Sequence, residues 1–256
     1  MSKFKASHPA RPYPVNNFTV IESVYGRFVV NRHCAYQAEA LIKTGATHIE
    51  NELAPMFTIV GTLPVNAVIV DVGANAGFVC VPLANAVREK GGQVLAYEVQ
   101  RMMFNALCGT VALNDLDNLR VFNQGMGAEA GQLKVPVQNY SKPQDFGMVS
   151  LVNQDQIQAH EIVQIITLDS VPLQRLDFLK IDVEGMELEV LAGGKQAIAR
   201  HRPWCWIEYW MIDSKALKDF FAPLEYTLYR MDKLNVLCAP NEHLGANRVN
   251  INGPLF

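Results

Sequence analysis

The stretch Val68-Ile69-Val70-Asp71-Val72-Gly73-Ala74-Asn75-Ala76-Gly77 decides the fold. Its unbroken apolar start is the pattern of a strand covered on both faces. A carboxylate stands at the strand's end, and a G-x-N-x-G turn then leads into an apolar helix through about Arg88. Glycine lets the backbone take positive φ and approach a ligand closely. The following helix start offers unpaired N–H donors. In an open α/β sheet, ligands bind beyond the carboxyl ends of the strands, where the winding reverses.

Downstream, Gly91-Gly92 breaks the helix and Val94-Leu95-Ala96-Tyr97 reads as a second strand. Met103, Leu107 and Val111 recur at helical spacing, and Leu119-Arg120-Val121-Phe122 is a third strand. This alternation predicts right-handed βαβ units and a doubly wound, mostly parallel α/β sheet. Residues 128–165 interrupt it; Leu133, Val135 and Val137 alternate with polar residues, which predicts a β-hairpin in an insertion of functional length. Winding resumes with Phe178-Leu179-Lys180-Ile181, a short helix from Glu187 and a break at Gly193-Gly194. The strand Trp204-Cys205-Trp206-Ile207 follows, then a helix capped by Asp213 or Ser214. Thr227–Arg230 and Asn235–Cys238 read as a closing antiparallel pair.

Upstream, residues 1–16 form a proline-rich arm, and Phe18–Glu22 and Arg27–Val30 flank Tyr25-Gly26 as a hairpin. Two short helices come next. The second opens on Thr47-His48-Ile49-Glu50, a capping box, and Pro55 is expected to end or kink it. The division expected is an arm, hairpin and helical lid over 1–62, and a ligand-binding domain over 63–256 with the insertion at about 128–165.

The 256 residues, half of them hydrophobic, suffice for one sizeable core. A net charge of −3 gives no basic field to draw nucleic acid or an anionic membrane. Arg200-His201-Arg202 is too short to change that and reads as a solvated helix end. Cys34, Cys80, Cys108, Cys205 and Cys238 contain no C-x-x-C pair, so reduced, mostly buried thiols are expected rather than disulfides or zinc ligands. No stretch has signal-peptide character or the roughly 20 apolar residues of a membrane span. A cytoplasmic protein is expected.

Asp71 narrows the ligand. A dinucleotide pyrophosphate would be repelled by a carboxylate before the glycine turn. S-adenosylmethionine, with an ammonium and a sulfonium, would be favoured by one. Glu98 ends the second strand, where an acidic residue accepts hydrogen bonds from a ribose diol.

Asp71-Val72-Gly73-Ala74-Asn75-Ala76-Gly77 resembles motif I of class I methyltransferases. Thr167-Leu168-Asp169-Ser170, followed by Leu179-Lys180-Ile181-Asp182-Val183-Glu184-Gly185-Met186-Glu187-Leu188-Glu189-Val190-Leu191, resembles the FkbM family in particular. The likeness runs over about residues 18–240. It implies a seven-stranded, Rossmann-like sheet with the last strand antiparallel, and methyl transfer to oxygen on a sugar, glycan or secondary metabolite. It also implies a shell for S-adenosylmethionine made of Asp71, Gly73, Ala74, Asn75, Gly77, Glu98, Val99, Asn114, Gly125, Met126 and Asp182. Asn114 would stand near the adenine. Glu98-Val99-Gln100 departs from the family, which commonly has proline after the acid, and Gln124-Gly125-Met126-Gly127 is richer in glycine than usual.

Methyl transfer needs an acceptor held in line with the methyl–sulfur bond, and an alcohol gains from a general base. Asp182 and Glu184 follow the fourth strand and Glu208 ends the fifth, so the three would converge on one rim and are the candidate catalytic residues. Asp182 and Glu208 could also supply oxygens to Mg²⁺, but no third ligand is evident and no metal is expected. His48 reads as a structural or exposed histidine, with a lid position beside Glu52 as the alternative. Trp204 and Trp206 read as core, Tyr209 and Trp210 as residues that could stack on an acceptor. The expected partners are a small-molecule or glycan acceptor and at most further copies of the chain, not nucleic acid. An NAD-binding oxidoreductase and a non-catalytic S-adenosylmethionine-binding protein are the rival readings. An exocyclic-amine nucleic-acid methyltransferase lacks its Asn/Asp-Pro-Pro-aromatic turn here.

Overall fold

The computed structural model describes residues 16–148 and 159–244. Most of the N-terminal arm and part of the insertion (residues 149–158) lie outside the described residues. Strands β1 (Phe18–Ser23) and β2 (Gly26–Asn31) form the expected hairpin, closing with Ser23 opposite Gly26. Helices α1 (Ala35–Thr44) and α2 (Glu50–Gly61) follow. Helix α2 starts at Glu50 rather than just after Thr47. Half of the capping box survives, as the Thr47 N–H donates to the Glu50 carboxylate at 3.3 Å. Pro55 lies inside α2, which continues to Gly61.

The winding then runs β3 (Val68–Val72), α3 (Cys80–Arg88), β4 (Gln93–Tyr97), α4 (Arg101–Leu113) and β5 (Leu119–Phe122). After β6 (Gln124–Met126), β7 (Gly131–Pro136) and β8 (His160–Ile166) come β9 (Phe178–Ile181), α5 (Glu187–Gly193), α6 (Lys195–His201) and β10 (Trp204–Glu208). Helix α7 (Ser214–Phe221), strands β11 (Tyr226–Arg230) and β12 (Asn235–Pro240) and the short α8 (Asn241–Leu244) complete the described chain.

The main sheet has the order β11-β12-β10-β9-β3-β4-β5. Pairs β10/β9, β9/β3, β3/β4 and β4/β5 are parallel, and β12 runs antiparallel to β10 and β11. The chain leaves β3 towards β5, then returns to β9 on β3's other side. The winding therefore reverses between β3 and β9, where such sheets bind ligands.

The apolar run in β3 is buried on both faces, as its composition predicts. Ile69 joins one core cluster while Val70 and Val72 join the other. The first cluster also takes in Phe28, Leu41, Leu53 and Met56, so the N-terminal hairpin and helices pack against the sheet's own helices. In the insertion, β7 pairs antiparallel with the distant β8, and β6 joins β8 from its other side. The result is a small three-stranded sheet rather than a tight local hairpin. All five cysteines are free thiols, and four are buried. Arg202 ends α6 in the left-handed region, bonds Glu242 at 2.7 Å and lies over the Tyr226 ring. Among the described residues, no helix is long and apolar enough to cross a membrane.

Candidate active site

The two strand ends at the reversal meet without space between them. Gly73 has φ +87°, and its N–H and that of Ala74 donate to the Tyr97 carbonyl at 2.9 and 3.0 Å. A Cβ on Gly73 would stand 1.7 Å from the Asp182 carbonyl oxygen, so only glycine allows β3 and β9 to close at this edge. Asn75 also has positive φ, and its N–H donates to one Glu98 oxygen at 2.7 Å. The Gln100 N–H donates to the other at 2.7 Å. Glu98 thus ties the glycine loop to the end of β4, and each carboxylate oxygen keeps a lone pair for a ligand hydroxyl.

A cavity of about 400 Å³ opens over this edge. Asp71, Gly73, Ala74, Asn75, Glu98, Val99, Gly125, Met126, Asp182, Glu184 and Glu208 all line it. Gly77 does not; it makes room for α4, since a Cβ there would meet Leu107 Cδ1 at 2.5 Å. Asn114 lies outside the cavity too. Its Oδ1 accepts from the Arg27 N–H at 2.8 Å and its Nδ2 donates to the Arg27 carbonyl at 2.7 Å, so it anchors the N-terminal hairpin to α4. The hairpin, whose docking a single sequence does not show, takes up the polar group. Trp204 and Trp206 are core, and Tyr209 is buried as well. Trp210, 45% exposed, is on the cavity wall.

Among the other lining residues, Gln37 and Asp145 carry no site signal in the sequence, and His48 and Glu52 carry only the lid reading. Gln37, His48 and Glu52 come from the N-terminal helices and the turn between them, and Asp145 comes from the insertion. The His48 ring meets Phe78 edge-on at 5.2 Å. Lys180 is the most consequential. A lysine in an otherwise apolar, buried strand was the available signal. It is 4% exposed, and its Nζ donates to Asp182 Oδ2 at 2.8 Å and lies 3.9 Å from Asp71 Oδ1. Asp71 is wholly buried, with no close hydrogen bond to either oxygen, so its charge is met inside the protein by Lys180.

The turn after β9 is braced from within the longer motif. Glu187 Oε1 accepts from the Val183 N–H at 3.0 Å and the Gly185 N–H at 3.3 Å. These bonds hold Glu184 (φ +54°) and Gly185 (φ +102°) in the left-handed region. In the other motif, Asp169 accepts from the Gln196 and Ala197 N–H groups and caps α6.

One oxygen each of Asp182, Glu184 and Glu208 lie within 4.8 Å of one another. Glu184 thus joins Asp182 and Glu208 in one carboxylate group on the cavity wall. Crowding and burial push Glu184 and Glu208 towards their neutral forms. Burial first, then Asp182 and Glu184, raise Glu208 to about 9. Burial and Asp182 raise Glu184 to about 7, and burial raises Glu98 to about 7 and Asp71 to about 6. Burial pulls Lys180 down, but Asp182 and Asp71 outweigh it and hold the ammonium charged. Lys180 is the one lysine or arginine lining the cavity among the described residues, against seven carboxylates. Such a site suits a cationic ligand and rejects a pyrophosphate.

The family model for the methyltransferase FkbM domain matches residues 71–233, which holds the end of β3, the glycine loop and the carboxylate cluster. The curated protein methyltransferase sdnD of Sordaria araneosa is 27% identical over 164 residues, 52% of this chain and 62% of its own length. The crystal structure of methyltransferase FkbM from Methylobacillus flagellatus KT aligns with TM-score 0.51 at 18% identity, over 82% of this chain and 55% of that one. M. jannaschii TYW2, solved in complex with AdoMet, aligns with TM-score 0.47 at 14% identity over 89% and 86% of the two chains. The chain thus spans less than two thirds of the curated relative and just over half of the solved FkbM protein, and the likeness to the latter is one of fold. With a family match over well over half its length, the chain belongs to the methyltransferase FkbM family.

Proposed function

We propose that the chain is an S-adenosylmethionine-dependent methyltransferase that methylates a hydroxyl oxygen on a small molecule, sugar or glycan. The observation that carries this reading is that Asp71, Glu98 and Asp182, from three neighbouring parallel strand ends, line one cavity where the winding reverses. The donor set fits the nucleoside: Glu98 presents a carboxylate braced by two N–H groups to a diol, and Val99, Met126 and Ile165 offer apolar surface to a base. S-adenosylmethionine, when bound, supplies an electrophilic methyl group on a cationic sulfur.

The chain's own residues do the rest. Asp182 is the carboxylate nearest the reacting centre, and its negative charge favours the cationic end of the cofactor. Glu184 accepts the proton of the acceptor hydroxyl; a group raised to about 7 suits a base at neutral pH. Glu208, raised to about 9, holds its own proton and donates a hydrogen bond to the acceptor. His48, Glu52 and Trp210 wall the acceptor side, with His48 and Glu52 supplied by the N-terminal region.

The test is transfer of labelled methyl from S-adenosylmethionine across a panel of hydroxyl-bearing acceptors, with thermal shift by S-adenosylhomocysteine and NADH alongside. Stabilisation by S-adenosylhomocysteine alone, with label on oxygen and a turnover loss of 10²-fold or more in Glu184→Gln, is expected from removing a general base. Stabilisation by NADH alone would reverse the assignment.

A further inference from the structure

Lys180 sits where the sheet gives its side chain few neighbours. Register places it directly opposite Asp71 of β3 on one side and Trp206 of β10 on the other. Asp182 follows two residues later on the same face, just past the strand end. Trp206 is fully buried and its indole N–H is already donated to Asn235 Oδ1 at 3.0 Å, so that side offers the lysine no acceptor. The ammonium is therefore left with the two carboxylates, and it stands closer to Asp182, at 2.8 Å, than to Asp71, at 3.9 Å. The Lys180 side chain is 5% exposed and that of Asp182 is 34% exposed. The lysine thus grips from beneath a carboxylate that reaches the cavity.

We propose that Lys180 is a positioning residue for methyl transfer: its ammonium anchors the Asp182 carboxylate at the cavity wall, where it faces the cationic end of the cofactor. This rests on the S-adenosylmethionine reading above. Without the lysine, Asp182 would face Glu184, Glu208 and Glu52 with no cation on the wall, and Asp71 would be buried beside Cys80 with no counter-charge. His48 is the other titratable group near the lysine, and burial holds it below the ordinary histidine value. Asp182 would then lose its anchor and swing away from the wall. That change removes the negative charge that distinguishes a sulfonium from a neutral thioether.

The experiment measures equilibrium binding of S-adenosylmethionine and S-adenosylhomocysteine at pH 7 in the wild type, Lys180→Met, Lys180→Gln and Lys180→Arg. Lys180→Gln keeps a polar group beside Asp182 and Asp71 without the charge, and so remains informative if Lys180→Met does not fold. In Lys180→Met and Lys180→Gln, the preference for S-adenosylmethionine over S-adenosylhomocysteine is expected to fall several-fold, and Lys180→Arg should keep it. A wild-type or greater preference in Lys180→Met or Lys180→Gln would overturn the proposal, leaving Lys180 as no more than a counter-charge to Asp71. Failure of the wild type to bind either nucleoside would instead overturn the cofactor reading on which it rests.

Discussion

At the scale of single residues, the site is an excess of carboxylates held by one lysine, and its protonation follows from burial. Asp71, Glu98, Glu184 and Glu208 hold protons more tightly in the folded chain than their ordinary values of 3.8 to 4.5 allow in an unfolded one. A raised acid contributes stability that is full below its unfolded value and is lost as pH rises through its folded value. Here that loss runs from about 6 for Asp71 to about 9 for Glu208. The ligand-free protein should therefore melt at a lower temperature at pH 9 than at pH 6, and Glu208→Gln should flatten the upper part of that fall. Differential scanning calorimetry checks it; an equal or higher melting temperature at pH 9 would contradict the charge arrangement. Glu242, lowered to about 2 by its bond to Arg202, has the opposite sign: its stability is present above its ordinary 4.5 and goes as pH falls towards 2. Asp71→Ala should lose S-adenosylhomocysteine binding. It should also cost on the order of 3 kcal/mol in urea unfolding, because it strips a buried lysine of one of its two close partners. The sequence alone predicts only the first effect, since Asp71 is legible as a ligand carboxylate and its pairing with Lys180 is not.

At the scale of elements, the glycine loop and the turn after β9 form one joint. Gly73→Ala puts a methyl group into the Asp182 carbonyl at a φ that side chains disfavour. It should part the strand ends and weaken S-adenosylhomocysteine binding at least tenfold, while Gly77→Ala, at a similarly disfavoured φ but meeting side chains of Leu107 and Val81 rather than backbone, should do less. Titration calorimetry on both variants reads the difference. Helix α7 offers a simpler check: Asp213 Oδ1 accepts from the Lys215 N–H at 2.9 Å as its N-cap, and Asp213→Ala should cost about 1 kcal/mol in urea unfolding. These elements were legible because each signal is local. An apolar run, a glycine turn and a cap each sit within a few residues. The partner of β7 and the role of Asn114 were not, because they depend on chain segments far away in sequence. Leu133, Val135 and Val137 announce a strand, but nothing near them says that it pairs with β8. Asn114 announces a polar group, but not that the backbone of Arg27 meets it.

At the scale of the whole molecule, the winding order places the cavity and the N-terminal region closes it. Strand alternation reveals the order, so the central β3, the reversal beside it and the antiparallel last strand were readable from the sequence and its family likeness. The acceptor wall was legible only in part: His48 and Glu52 offered a lid position, while Gln37 from α1 and Asp145 from the insertion share no pattern with them. Titration calorimetry of S-adenosylmethionine into the wild-type chain and Glu98→Ala shows whether this acidic cleft at the β3–β9 reversal holds a sulfonium nucleoside. Saturable one-to-one binding by the wild type is expected, weakened tenfold or more in Glu98→Ala. Binding that Glu98→Ala leaves unchanged, or no heat from the wild type at millimolar nucleoside, would contradict it.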